Sequence, residues 1–265
     1  AFMTKPLLEI SNMEVCYFGK PVVRDLSLKI EPGEILGIVG ESGSGKSTVI
    51  RAAMGLLKKG GTVTKGEISY KGQSITQAGE KELRKIRGPE MGMVFQNAGA
   101  SLCPVRTIEK QLYETVLEHE KISRREIKER ALEIFKNMGF SRGEEILKSY
   151  PFQLSGGMNQ RVGIMMAMIL KPDLLLADEP TSALDVTVQA QVVKEMMKMR
   201  EMYGTAIGIV THNIGLIEHM ADKVAVMRQG RLVEYGTREE ITGSPRQEYT
   251  KELLGAVLRL NRGRR

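Results

Sequence analysis

Residues Gly40-Glu41-Ser42-Gly43-Ser44-Gly45-Lys46-Ser47-Thr48 fit the spacing G-x-x-x-x-G-K-[ST]. Gly40, Gly43 and Gly45 carry no Cβ to block a close approach or a positive φ, so successive N–H groups can converge on an anion. The start of a helix placed after them adds the positive end of its dipole. In such a loop Lys46 reaches the β- and γ-phosphates of a nucleoside triphosphate, and the Ser47 hydroxyl ligates Mg2+. The expected chemistry is therefore nucleotide binding.

Two further constellations bear on what is done with that nucleotide. Leu174-Leu175-Leu176-Ala177-Asp178-Glu179 is an apolar run that ends in two acids. A carboxylate there can hold Mg2+, directly or through water, and a second can orient and deprotonate an attacking water. Alone, such a run also describes a strand that merely leaves the core; the phosphate loop favours the catalytic reading. The second constellation is Leu154-Ser155-Gly156-Gly157-Met158-Asn159-Gln160-Arg161. Ser155 is a good N-cap, and Gly156-Gly157 leave an open helix N-terminus, a second anion cradle. One nucleotide hardly needs two such cradles from a single chain.

The elements that must hold these residues are legible in outline. Residues 7–16 and 22–30 alternate as half-buried strands, and Pro32-Gly33 turns the chain into Ile35-Leu36-Gly37-Ile38-Val39. That continuous apolar run is the pattern of a strand buried on both faces, and it feeds the glycine loop. Residues 47–57 read as a helix closed by Lys58-Lys59-Gly60-Gly61, then 66–70 and 91–95 as strands around a short helix at 81–87. From Thr107 to Ser149 the pattern is helical and rich in Glu and Lys. Helices at 157–170, 186–203, 213–220 and 247–260 alternate with strands at 173–177, 205–210 and 223–228. Strands alternating with helices predict an α/β parallel sheet with a helical insert. The Met165-Met166-Met168 face is expected to be core packing.

Taken together and in order, these motifs resemble the ATP-binding cassette of ABC transporters, from about residue 7 to 254. Gly40–Thr48 resembles the Walker A loop, Leu154–Gln160 the signature motif, Leu174–Glu179 Walker B and Ser182-Ala183-Leu184-Asp185 the D-loop. Gln96 resembles the Q-loop glutamine, His212 the switch histidine and Tyr17 the aromatic that stacks on adenine, with Phe18 as the rival stacker. The resemblance implies an α/β fold with a P-loop NTPase (RecA-like) core, an antiparallel β subdomain and an inserted α-helical subdomain. The expected parts are 1–96 (β subdomain and first part of the core), 97–157 (helical subdomain), 158–236 (second part of the core) and 237–265 (C-terminal helical extension). It also implies ATP and Mg2+ as ligands. Ser47 and Gln96 would act at the metal with Asp178 supporting it. Glu179 would be the general base, and His212 and Gln96 would contact or sense the γ-phosphate. Ser155, Gly156, Gly157 and Gln160 would complete the site of a second subunit in a head-to-tail dimer, which accounts for the second cradle.

Composition limits the alternatives. The chain has 265 residues, 42% hydrophobic and 27% charged, ordinary for a globular protein. No apolar run approaches the roughly 18 residues needed to cross a bilayer. Ala1-Phe2 ahead of Met3 reads as a cloning remnant with no signal peptide behind it, so an intracellular chain is expected. Cys16 and Cys103 form neither a disulfide framework nor a metal cluster. Net charge is +7 and the pI about 9.3, with a basic tract from Arg259 to Arg265. There is no Trp and few aromatics to stack bases, so no nucleic acid is expected. His119 and His219 match no motif and are expected at the surface.

Within the family the resemblance is to the importer branch for peptides and nickel. It is carried by Tyr150-Pro151-Phe152-Gln153, Ser101-Leu102-Cys103-Pro104, Val186-Thr187-Val188-Gln189 and Pro245-Arg246-Gln247-Glu248-Tyr249-Thr250. Departures are Asn97-Ala98-Gly99-Ala100, Asn213 after the histidine and Glu248 before Tyr249. A chain ending at Arg265 without a cysteine-rich extension leans towards the nickel or metallophore type. The implied partners are a second ATPase subunit, two transmembrane permease subunits and, indirectly, an extracytoplasmic solute-binding protein. The implied place is the cytoplasmic face of the membrane. The rival reading is a non-transport cassette ATPase acting on nucleic acid or the ribosome.

Overall fold

The computed structural model describes residues 5–182 and 184–262, with the backbone alone for 256–262. In chain order the elements are β1 (Leu8–Tyr17), β2 (Lys20–Ile30), β3 (Ile35–Val39), α1 (Lys46–Ala53), β4 (Gly61–Tyr70), β5 (Gln73–Ser74) and α2 (Glu80–Ile86). There follow β6 (Met91–Val94), α3 (Ala98–Ser101), α4 (Ile108–Leu117), α5 (Arg124–Asn137), α6 (Gly143–Lys148), α7 (Gly156–Met168), β7 (Leu174–Asp178) and α8 (Val186–Tyr203). The chain closes with β8 (Ala206–Thr211), α9 (Ile214–Met220), β9 (Lys223–Arg228), β10 (Arg231–Thr237), α10 (Arg238–Gly243) and α11 (Glu248–Arg262). It divides into two compact units, residues 1–83 with 206–265, and residues 84–205.

The first unit has an antiparallel sheet in the order β2-β1-β4-β5. Phe18 and Gly19, at φ 49° and 77°, make the tight turn between β1 and β2, which suits the twist of paired strands. Inward residues of β1 and β2, among them Ile10, Met13, Val15, Val23, Leu26 and Leu28, are buried. A parallel part is centred on β3, which pairs with β8 from Ile35↔Ile207 to Val39↔Thr211 and with β9 on its other edge. All five residues of β3 are buried, as the unbroken apolar run predicts. Helix α9 packs so closely on β3 that a Cβ at Gly37 would lie 2.7 Å from the Ile217 side chain.

In the second unit β6 and β7 run parallel, from Met91↔Leu174 to Val94↔Ala177. Helix α7 lies on β6, where a Cβ at Gly92 would come within 2.7 Å of the Ala167 carbonyl. Helices α4, α5 and α6 bury Ile108, Leu112, Val116, Ile127, Ala131, Ile134, Phe135 and Leu147 as a core of their own. Ser123 and Glu126 close a capping box at the start of α5. The methionine face is core at Met165 and Met168, both fully buried, whereas Met166 is only half-buried.

Several boundaries differ from expectation. The helix after the phosphate loop ends at Ala53, and Gly61 already starts β4, because that strand pairs with β1 as far as Tyr17↔Gly61. The helical stretch from Thr107 resolves into three helices and a short 3-10 turn, Pro151–Gln153. Strand β10 has no counterpart in the sequence reading, and α10 opens the expected helical extension as a short separate helix ahead of α11. His119 is half-buried rather than on the surface, its ring set against Gly88, whereas His219 is exposed as expected. Both cysteines are free thiols, Cys16 buried beside Thr64.

Candidate functional site

In the first unit the loop from Gly40 to Thr48 joins β3 to α1. Gly40, Gly43 and Gly45 have φ of 148°, 80° and 99°, all positive, so their lack of a side chain is used. A Cβ at Gly40 would sit 2.1 Å from the Met227 carbonyl, whereas one at Gly43 would meet nothing within 4 Å. The loop is thus pressed against β9 behind and open in front, the shape a phosphate chain requires. Lys46 is only 4% exposed, and its Nζ donates to the Gly40 carbonyl at 2.8 Å and the Glu41 carbonyl at 2.7 Å. No acid lies in the first turn of α1, so the positive helix end is not neutralised there. Ser47 and Thr48 follow in that turn, both half-buried, while Ser44 is buried and Glu41 and Ser42 are exposed.

His212 follows β8 one residue past the Val39↔Thr211 pair, so register places it level with Gly40. It is exposed. Asn213, the departure from the usual acid, caps α9 by accepting from the Leu216 N–H at 3.4 Å, which an asparagine does as well as an aspartate. Tyr17 ends β1 with its ring over Gly61, where a Cβ would lie 2.6 Å from it; Phe18 is 79% exposed with its ring over Gly60. The two aromatics thus flank one glycine pair, and neither is core.

In the second unit β6 and β7 bring their C-terminal ends together. Gln96 Nε2 donates to the Glu179 carboxylate at 3.2 Å and lies 3.4 Å from Ser182 Oγ, which itself donates to the Glu179 carbonyl. Asp178 is buried at 1% exposure, and Glu179 turns out of the strand with φ 47°, a left-handed conformation uncommon for a residue with a side chain. Ser155 caps α7, accepting from the Met158 N–H at 3.2 Å. At Gly156 a Cβ would meet nothing within 4 Å, and no acid occupies the first turn of α7. This second cradle is open in the same way as the first. Gly157 is different: a Cβ there would reach Val188 at 2.9 Å, so its lack of a side chain lets α8 approach. Asp185 caps α8 through the Val188 N–H at 3.0 Å; Ala183 of the D-loop lies outside the described residues.

Gln160 departs from the expected set. It is 4% exposed, its amide donates to the Phe95 carbonyl at 3.3 Å and its oxygen accepts from the Ala98 N–H at 3.2 Å. Both hydrogen-bonding ends are spent on the chain around Gln96, so Gln160 braces that segment instead of facing outwards. The sequence signal missed here was burial, since a glutamine one helical turn past Gly156-Gly157 reads as surface.

Comparison with known proteins bears on the same residues. The sequence matches the ABC transporter family over residues 23–182. It is 41% identical over 256 residues to an oligopeptide transport ATP-binding protein, AppD of Bacillus subtilis, covering 95% of this chain and 78% of that one. The chain belongs to the ABC transporter family. A dipeptide transport ATP-binding protein of Lactococcus lactis, DppD, is 42% identical, with 95% of this chain and 73% of the relative covered. Among solved structures, cbiO1 of Clostridium perfringens, part of the ABC transporter complex cbiONQ, superposes with a TM-score of 0.79 at 27% identity, over 97% of this chain and 96% of that one. A dimeric ATP-binding cassette in a post-hydrolysis state, bound to ADP and phosphate, gives 0.77 at 28% identity, over 87% of this chain and 98% of that one.

This ABC chain is accordingly an ATPase that works on ATP with Mg2+, built on the P-loop cassette fold. Among the described residues no helix is long and apolar enough to cross a membrane. Ser182 and Tyr249 are the residues near this chemistry that motif reading undervalued. Ser182 stands within the expected D-loop, and Tyr249 lies in the stretch 245–250, whose pattern marks the subfamily and gives no sign of a contact with the phosphate loop.

Proposed function

We propose that this ABC ATPase powers import of peptides, as one of two cassettes working on the cytoplasmic face of a membrane with two separate permease subunits, fed by a solute-binding protein. The observation that carries the cargo is the identity of about two-fifths, over nearly the whole chain, to relatives named for oligopeptide and dipeptide transport. Those names favour peptides over nickel or a metal chelate. The geometry favours a paired arrangement, because the chain holds two open helix N-termini with no acid in the first turn, at Gly45–Lys46 and at Ser155–Gly156.

The residue roles follow from the chemistry of each position. Tyr17 stacks on the base. Amides from Gly40 to Thr48 and the ammonium of Lys46 take the phosphates, and the Ser47 hydroxyl ligates Mg2+ with support from Asp178 and Gln96. Glu179 accepts a proton from the attacking water, whose oxygen bonds to the γ-phosphorus as the bond to the ADP oxygen breaks. The 3.2 Å contact with Gln96 holds that carboxylate before the reaction. His212 contacts the γ-phosphate. Ser155, Gly156 and Gly157, on a helical subdomain spanning 97–157, serve the nucleotide of the partner, with Asp185 ordering the adjoining loop; Gln160 holds the Q-loop segment from within.

Glu179→Gln should abolish turnover while MgATP binding persists; near-normal steady-state hydrolysis would sink the assignment. Specific activity should rise with enzyme concentration, since a lone cassette holds half of each site, and a concentration-independent rate would refute the pairing. For the cargo, uptake of a labelled oligopeptide by cells should vanish when Lys46→Ala replaces the natural chain. Intact peptide uptake would redirect the search to metal chelates.

A further inference from the structure

Helix α11 is aimed by a carboxylate on β10. Glu234 accepts from the N–H groups of Arg246 at 2.7 Å and Gln247 at 3.2 Å, just ahead of the helix. Burial pushes the Glu234 carboxyl up, but the nearby Thr250 hydroxyl and those two amides outweigh it and leave it below the ordinary carboxylate value. Thr250 itself is fully buried. The residue between these anchors is Tyr249. Its hydroxyl accepts the backbone N–H of Glu41 at 3.1 Å, and the Arg228 guanidinium lies 4.6 Å from its ring centroid. Arg228 also stands 3.8 Å from the Glu41 carboxylate. All of these residues belong to the first unit.

The N–H of Glu41 and the carbonyl of Gly40 are two ends of one planar peptide group. Lys46 Nζ donates to that carbonyl at 2.8 Å, while Tyr249 takes the N–H on the other side. The peptide that orients the lysine is therefore clamped from both ends, and a hydrogen bond at one end polarises the group and strengthens the other. We propose that Tyr249 is a positioning residue for Lys46. Through it the docking of α11 sets the order of the phosphate loop and hence nucleotide affinity. The inference rests on the reading of that loop as the ATP site.

The test uses the full-length chain, with MgATP affinity measured by displacement of a fluorescent ATP analogue. Tyr249→Phe keeps the ring under Arg228 and removes the hydroxyl. A net hydrogen bond of ordinary strength corresponds to about a fivefold change, so Kd and KM for ATP should rise about three- to tenfold. The rate at saturating ATP should hold within about twofold on the same ground. Exchange of the Glu41 amide, followed by mass spectrometry over residues 40–45, should quicken, and the melting temperature should fall by no more than about 6 °C. Tyr249→Leu, which also loses the Arg228 contact, should show a larger effect of the same kind. Wild-type affinity and exchange in Tyr249→Phe would overturn the inference, as would a fall in turnover at unchanged KM. Lys46→Ala separates the two levels. If it binds MgATP like the wild type, the loop reading itself fails and the inference falls with it. If it loses binding while both Tyr249 variants behave as wild type, only the inference fails.

Discussion

Arg161, the residue after the signature motif, offers a quantitative check on the energetics. Its side chain is 13% exposed and pairs with Glu195 at 5%, Nε to carboxylate 3.1 Å. It also donates to the Met138 carbonyl at 2.6 Å and lies 3.7 Å from the Phe140 ring centroid. Burial raises the Glu195 carboxyl above its usual value despite the neighbouring guanidinium. The cost of desolvation therefore exceeds the gain from pairing, and the pair holds geometry more than it adds stability. Arg161→Met strands a buried carboxylate and should cost about 3–5 kcal/mol. Arg161→Met with Glu195→Leu removes both charges and leaves chiefly the unmet Met138 carbonyl, about 1–3 kcal/mol. For a chain of this size each kcal/mol moves the midpoint by roughly 2–4 °C. The single variant should thus melt about 6–20 °C lower and the double about 2–12 °C lower. Differential scanning calorimetry with urea unfolding measures both. In the single variant a raised folded pKa means stability is fully present below the unfolded value near about 4.3 and is lost as pH rises through the folded value, so acid should narrow its deficit. A single-variant cost under about 1 kcal/mol, or a double variant as unstable as the two singles summed, would refute this reasoning.

Two further outcomes follow from other sites. Gly40→Ala should lose MgATP binding by at least tenfold and cost about 2 kcal/mol or more, because its Cβ would lie 2.1 Å from the Met227 carbonyl at φ 148°; nucleotide titration and thermal scans on one preparation check it. Glu234→Gln should lower the melting point near neutral pH. The Glu234 carboxyl is held below its ordinary value, so its contribution is present above the unfolded pKa and fades as pH falls through the folded one. The gap between variant and wild type should therefore close below about pH 4, and a gap of constant size would contradict the assignment.

What could be read from the sequence divides along physical lines. The phosphate loop was legible because its glycines, lysine and hydroxyls carry the chemistry themselves and sit between an apolar run and a helix start. Strand β3 was legible because burial on both faces leaves an unbroken apolar signature. Strand β10 was not: its residues are mostly half-buried and mix Arg, Glu and Gly with Val and Tyr, so neither period dominates. The inward turn of Gln160 and the reach of Tyr249 to Glu41 were equally hidden, since each depends on a partner 62 or more residues away in sequence. Local pattern carries local chemistry; long-range hydrogen bonds need the fold.

The left-handed backbone at Glu179 carries a different kind of consequence. A residue with a side chain at φ 47° costs on the order of 1 kcal/mol relative to glycine or asparagine in the same place. Drift under selection for stability alone would replace this glutamate with either, and the protein would become sturdier for it. Under the role proposed for it, demand for its carboxylate opposes that drift. In a lineage released from transport, Glu179 should therefore be among the first residues lost, well before the buried glycine at the head of the phosphate loop.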